Sequence, residues 1–285
     1  MQFVYISGLE HSGTTLLNHL LAQDEACLGL GEVASFFSPA HMRQYASNWG
    51  HLDDAFLCSC GKSWSTCPFW GPVHHLCGLV SSDDLQTKYS RLIEYTRSEH
   101  GKFAVVIDSS KALEPLQALQ RLDVHSRGVP GMAFGLRPVL AVKDARSFAA
   151  SVARSTSRTA SVIGHLRSFN RWLKVNRDLL AAISVPSAFG CSIVLYEELC
   201  RQPVQVLNSI MPGRRQQELS VAHNRSHIVM GNKDFLMRNR QAIVYDNSWF
   251  EQDAIAIAYA LHGPARALNR RIVVRGDIAS GMENA

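Results

Sequence analysis

Residues 3–22 read FVYISGLEHSGTTLLNHLLA, and this stretch limits the possible folds more than any other. Phe3 to Ile6 is a short apolar run, and Leu16, Leu17, Leu20 and Leu21 then recur at helical spacing. The pattern predicts a strand, a glycine–serine loop and a helix. Gly8, four residues, Gly13, Thr14 and Thr15 fill the frame G-x-x-x-x-G-K-[ST] with threonine where the frame has lysine. Successive backbone N–H groups from Gly8 to Thr15, aimed at the start of a helix, form an anion cradle, and the Thr14 and Thr15 hydroxyls add donors. The point charge that reaches the β- and γ-phosphates of a nucleoside triphosphate is missing, and no acidic strand end of the metal-binding kind replaces it. The cradle therefore disfavours a nucleotide-dependent kinase, which stays as the alternative together with a non-catalytic nucleotide-binding protein.

The order of the remaining elements sets the architecture. FAVVID (103–108), PVLAVK (138–143) and CSIVLY (191–196) are β-rich runs, each followed by a helix-compatible stretch, and 145–183 holds two arginine-bearing helical patterns. Alternating strands and helices predict an α/β fold, a parallel sheet of about five strands flanked by helices. Residues 1–275 read as one domain, the Cys/Trp-containing stretch 48–80 as an insertion, and 276–285 as a loose tail. Phe169 and Trp172 lie on an apolar helical stripe and are expected in the core. A net charge of +5 over 285 residues suits an anionic small molecule, and without lysine/arginine blocks it does not suggest nucleic acid. No apolar run of membrane-spanning length and no leader pattern is present, so the expectation is a cytoplasmic protein without a membrane partner. Oligomeric state is not legible.

A second segment, LAVKDARSFAASVARS, ends a strand at Lys143 and carries Ser151 eight residues on, with Arg146 and Arg154 along the same helix. With the opening loop, it resembles the sulfotransferases that use 3′-phosphoadenosine 5′-phosphosulfate (PAPS). The resemblance implies the P-loop-like sulfotransferase fold and PAPS as donor. Gly8, His11, Ser12, Gly13, Thr14 and Thr15 would grip the phosphosulfate, and Lys143, Ser151 and Arg154 the 3′-phosphate. Lysine at 143 stands in for the commoner arginine, keeping the charge but not the bidentate fork. GLGEVASFF places Glu32 near the acceptor; VVIDSSKALEPL turns Asp108, Ser109, Ser110 and Lys111 toward the cleft. VLYEELCRQP puts Tyr196 on the adenine, and HIVMGNKDFLMRN supplies Asn232 and a 3′-phosphate arginine. CSCGKSWSTCPFW is similar to an insert in bacterial-type members. The sequence departs from the pattern in two places. His11 precedes the loop serine where lysine or arginine is common, and extra residues in the G-N segment leave both Arg238 and Arg240 as the arginine.

Sulfuryl transfer makes little covalent demand on a protein, so alignment, charge stabilisation and one general base suffice, with no metal required. Glu32 is the first candidate for the base and Asp108 the second. His11 could serve as base or leaving-group stabiliser, and Lys111 completes the catalytic set. The acceptor is a small molecule or carbohydrate, secondary metabolites included, sulfated on a hydroxyl or on nitrogen. Cys58, Cys60, Cys67 and Cys77, with His74 and His75 nearby, admit structural zinc, a disulfide such as Cys58–Cys67, or free thiols packed with Trp64, Phe69 and Trp70. The spacing C-x-C-x6-C is not a standard knuckle.

Overall fold

The computed structural model describes residues 1–38, 57–77, 84–101, 103–126, 134–155, 161–212, 226–231, 243, 245 and 247–273. Five parallel strands form its centre: β1 (Gln2–Gly8), β2 (Cys27–Gly31), β3 (Val105–Lys111), β4 (Gly135–Val142) and β5 (Ser192–Leu195), in the order β2-β3-β1-β4-β5. Helices make the crossovers. They are α1 (Thr14–Leu21), α2 (Val33–Phe36), α3 (Trp70–Cys77), α4 (Leu85–Glu99), α5 (Leu113–Ser126), α6 (Ala145–Ser155) and α7 (Val162–Ile183). Beyond β5 come α8 (Tyr196–Arg201), α9 (Pro203–Ile210), α10 (Asp253–Leu261) and α11 (Gly263–Val273). Among the described residues, no helix is long and apolar enough to cross a membrane.

Strand alternation divides the core. Phe3 and Tyr5 of β1 face one side with Leu28, Val106, Leu136 and Leu140, whereas Val4 and Ile6 face the other with Ile107, Val139 and Val194. β1 pairs in register with both neighbours, Phe3 opposite Val106 and Leu136, so both faces of the central strand are buried, as a parallel sheet requires. Leu17, Leu20 and Leu21 of α1 cover the second face. Phe169 and Trp172 of α7 are fully buried on the first, as their stripe predicts. β2, sequence CLGLG, was not legible as a strand, because two glycines in five residues remove the β-branched signal. It forms because its neighbours demand it: any side chain at Gly29 would meet Ala22 Cβ and Asn18 Oδ1 at 2.7 Å, so only glycine lets α1 lie so close.

Candidate active site

Apart from Asp108, which lies within β3, the candidate groups among the described residues leave the carboxyl ends of the strands or the helices that follow them, the side on which open α/β sheets bind ligands. The loop after β1 is tightly made. Gly13, φ +80°, is the N-cap of α1, and a Cβ there would stand 2.6 Å from the Tyr196 ring. A Cβ on Gly8 would stand 2.5 Å from the Ala141 carbonyl oxygen. Glu10 is ion-paired with Arg171 of α7, whose Nη2 donates to Oε2 at 2.8 Å. That clamp is 161 residues apart in sequence, and only the arginine-rich polar face of α7 hinted at it. Ser12, Thr14 and Thr15 are buried in the loop, while His11 sits exposed at its rim with φ +65°. Crowding by the protein beneath it, then the positive charge of Lys143, Lys111 and Arg154, lowers the His11 pKa from its ordinary value against the pull of Glu10. Its imidazole is therefore uncharged near neutral pH.

One half of the cleft lies beyond β4 and β5. Lys143 directly follows β4 and is buried, and its Nζ donates to Ser151 Oγ at 2.9 Å. The Arg154 guanidinium donates to the same hydroxyl at 3.3 Å. Tyr196, first residue of α8, places its ring centroid 4.4 Å from Lys143 Nζ. Trp172 Nε1 donates to the Lys143 carbonyl at 2.8 Å and fixes this turn. Asp144, the nearest acid in sequence, is engaged by Arg146 at 2.8 Å and 2.9 Å and by Asn269 at 3.0 Å. Two cations thus converge on one hydroxyl, an arrangement that electrostatics favours once an anion joins it.

The other half lies beyond β2 and β3. Glu32 follows β2, and its carboxylate pairs with Lys111, which ends β3 at φ +69°. Residues 226–231 run along the β2 edge: Val229 N–H donates to the Leu30 carbonyl and Glu32 N–H to the Val229 carbonyl, both at 3.1 Å. A Cβ at Gly231 would stand 3.1 Å from Thr15 Oγ1 and 3.7 Å from Glu32 Oε1, so this segment brings the loop and the carboxylate together. The resemblance turned Asp108 toward the cleft, but the structure buries it completely, because it lies two residues after Val106 on the core face of β3. Its carboxylate accepts from Tyr89 at 2.6 Å and from both the N–H and the hydroxyl of Ser110. Burial outweighs these bonds and raises its pKa to about 7. Ser110 Oγ in turn accepts from Ala34 N–H at 2.8 Å, linking Asp108 to the turn that follows Glu32. A cavity of about 380 Å³ opens beside the loop, lined by Gly8, Glu10, Ser110, Lys111, Leu113 and Arg171 among others. Asn232, Arg238, Arg240 and the tail 276–285 lie outside the described residues.

No protein-family model matches this sequence, and no curated protein sequence matches it. Among solved structures, the chain is similar to the sulfotransferase domain from the Synechococcus PCC 7002 olefin synthase, at 16% identity and TM-score 0.54 over 92% of this chain and 94% of that one. It is also similar to the sulfotransferase domain from the curacin biosynthetic pathway, at 18% identity and TM-score 0.52 over 95% and 96%. At these identities the likeness is one of fold. The P-loop-like α/β sulfotransferase fold expected from the sequence is the fold the chain adopts.

Proposed function

We propose that this protein is a PAPS-dependent sulfotransferase acting on a small-molecule or carbohydrate acceptor, at a hydroxyl or at nitrogen. The observation that carries the reading is the pair of anion sites flanking Tyr196. The lysine-free loop offers one, with Gly13 against the Tyr196 ring, and Lys143, Ser151 and Arg154 offer the other, with Lys143 over the same ring. A nucleotide phosphorylated at both ends of its ribose fits that spacing of functions, and a nucleoside triphosphate does not use the second site. When bound, PAPS supplies the sulfuryl group and departs as 3′,5′-ADP.

The chain's own residues do the rest. Loop N–H groups with Ser12, Thr14 and Thr15 hold the 5′ end, Tyr196 flanks the adenine, and Lys143, Ser151 and Arg154 neutralise the 3′-phosphate. The cavity bounded by Lys111, Glu10 and Arg171 admits the acceptor. Glu32 takes the acceptor proton, since its side-chain partner among the described residues is the long Lys111, which then turns toward the transferring group. Asp108, held by fixed donors and closed to the cleft, acts as a positioning residue for the turns bearing Glu32 and Lys111. Calorimetric titration with 3′,5′-ADP, 5′-AMP and ATP/Mg²⁺ tests the reading. The expected order is 3′,5′-ADP tightest by about tenfold or more, the value of one charge-assisted contact. Tightest binding of ATP/Mg²⁺ would return the kinase alternative.

A further inference from the structure

Away from the cleft, three cysteines and one histidine from distant stretches converge. Cys58, Cys60 and Cys67 come from residues 57–77, and His227 comes from the 226–231 segment. Their ligand atoms all lie within 4.8 Å of one another. Cys67 Sγ is 3.6 Å from Cys58 Sγ and 3.8 Å from Cys60 Sγ. His227 Nδ1 is 3.6 Å from Cys58 Sγ and 3.2 Å from Cys67 Sγ. A tetrahedral zinc with Zn–S near 2.3 Å and Zn–N near 2.0–2.1 Å spaces its sulfurs about 3.8 Å apart and sulfur from nitrogen about 3.5 Å. These four contacts match the edges of such a tetrahedron to within a few tenths of an ångström.

The surroundings hold the ligands in place. Gly61, φ +82°, closes a turn in which its N–H donates to the Cys58 carbonyl and Cys58 N–H donates to the Lys62 carbonyl, each at 2.9 Å. That turn carries both Cys58 and Cys60. Trp70 N–H points at Cys67 Sγ from 3.5 Å. The His227 ring stacks on Phe69 with centroids 5.6 Å apart, its carbonyl accepts from Trp70 Nε1, and its N–H donates to the Gly29 carbonyl at 3.0 Å. Of the ligands the sequence suggested, His74 instead packs on Trp64, centroids 4.5 Å apart, and the Cys77 side chain lies outside the described residues.

We propose that Cys58, Cys60, Cys67 and His227 bind one zinc ion that fastens the inserted segment to residues 226–231. Three sulfurs and one imidazole are a soft donor set suited to zinc, and four protein ligands close its shell, so the ion is structural. Binding releases the three thiol protons to solvent and leaves thiolates on the metal. Since residues 229–231 hydrogen-bond Leu30 and Glu32 and crowd Thr15, the ion positions the strip beside the proposed base without touching substrate.

Elemental analysis of the full chain, grown with zinc and purified without a metal-binding tag, is expected to give about one zinc per chain. Cys67→Ser and His227→Ala are expected to lose most of it, and Cys191→Ser, at a cysteine outside the cluster, to keep it. Should those variants fail to fold, cobalt exchange into the unaltered protein is expected to give the thiolate charge-transfer and d–d bands of a tetrahedral site. A metal-free protein that yields no such bands, a Cys58–Cys67 disulfide in a non-reducing peptide map, or full zinc retention in folded His227→Ala would each overturn the proposal. None of these readouts involves turnover, so they stand apart from the sulfuryl-transfer reading.

Discussion

Replacing Lys143 with methionine asks which part of the cleft recognises the 3′-phosphate. Lys143 is 4% exposed, with Nζ 2.9 Å from Ser151 Oγ and 4.4 Å from the Tyr196 ring centroid. Methionine keeps an apolar stem against that ring and removes the charge and its three N–H donors. A phosphate oxygen meeting this ammonium makes a charge-assisted bond worth about 1.5–3 kcal/mol. At about 1.4 kcal/mol per decade, that is about a 10- to 150-fold rise in Kd for 3′,5′-ADP. 5′-AMP lacks the 3′-phosphate and keeps its loop contacts, so its Kd should change by less than about twofold, under half a kcal/mol. Isothermal titration calorimetry measures both, with circular dichroism checking that the variant is folded. Lys143→Arg retains the charge and should recover most of the loss. Equal weakening of the two nucleotides would refute the assignment and move Lys143 to the 5′ end or to the fold alone.

Glu32→Gln should lower kcat by about 10²–10⁴-fold, the span of a general base, with unchanged 3′,5′-ADP affinity; undiminished turnover would remove Glu32 from the chemistry. Asp108 gives a stability test. Its pKa rises by burial from 3.8 to about 7, so its neutral form favours folding fully below the unfolded value and that contribution is lost as pH rises through about 7. Asp108→Asn should therefore flatten the slope of denaturant stability between those two values, and an unaltered slope contradicts the burial argument. Gly13→Ala, forced to φ +80° with its Cβ 2.6 Å from the Tyr196 ring, should lose stability by about 1–3 kcal/mol in thermal unfolding. A neutral result would mean the loop relaxes freely. Adding Mg²⁺ to chelator-treated buffer should change turnover by less than about twofold, unlike a metal-dependent phosphoryl transfer. Strict Mg²⁺ dependence would favour phosphoryl chemistry.

What the sequence revealed, and what it hid, follows from the range of the interactions. β1, β3, β4 and β5 are apolar runs whose signal is local, and the loop between Gly8 and Thr15 is spelled out in consecutive residues. Lys143 and Ser151 meet because a strand end and the first turns of α6 set them on one side, a relation already present in their eight-residue spacing. β2 escaped detection because Gly29 answers to Asn18 of α1 and to Ala22 just beyond it, and Gly31 to the Val229 backbone, not to strand propensity. Pairs set by tertiary folding left little local trace: Glu10 with Arg171 spans 161 residues, and Cys67 with His227 spans 160. The family resemblance placed Asp108 at the cleft, but the alternation that buries Val106 buries it too.

Sulfuryl transfer itself is the reaction to measure. Incubating the protein with sulfur-35 PAPS and a panel of hydroxyl- and amine-bearing small molecules and sugars, then measuring labelled product and 3′,5′-ADP together, tests it most directly. The two should appear in equal amounts, with both abolished or strongly reduced in Glu32→Gln. Tight 3′,5′-ADP binding with no transfer to any acceptor, or transfer of phosphate from ATP/Mg²⁺ in its place, would contradict it.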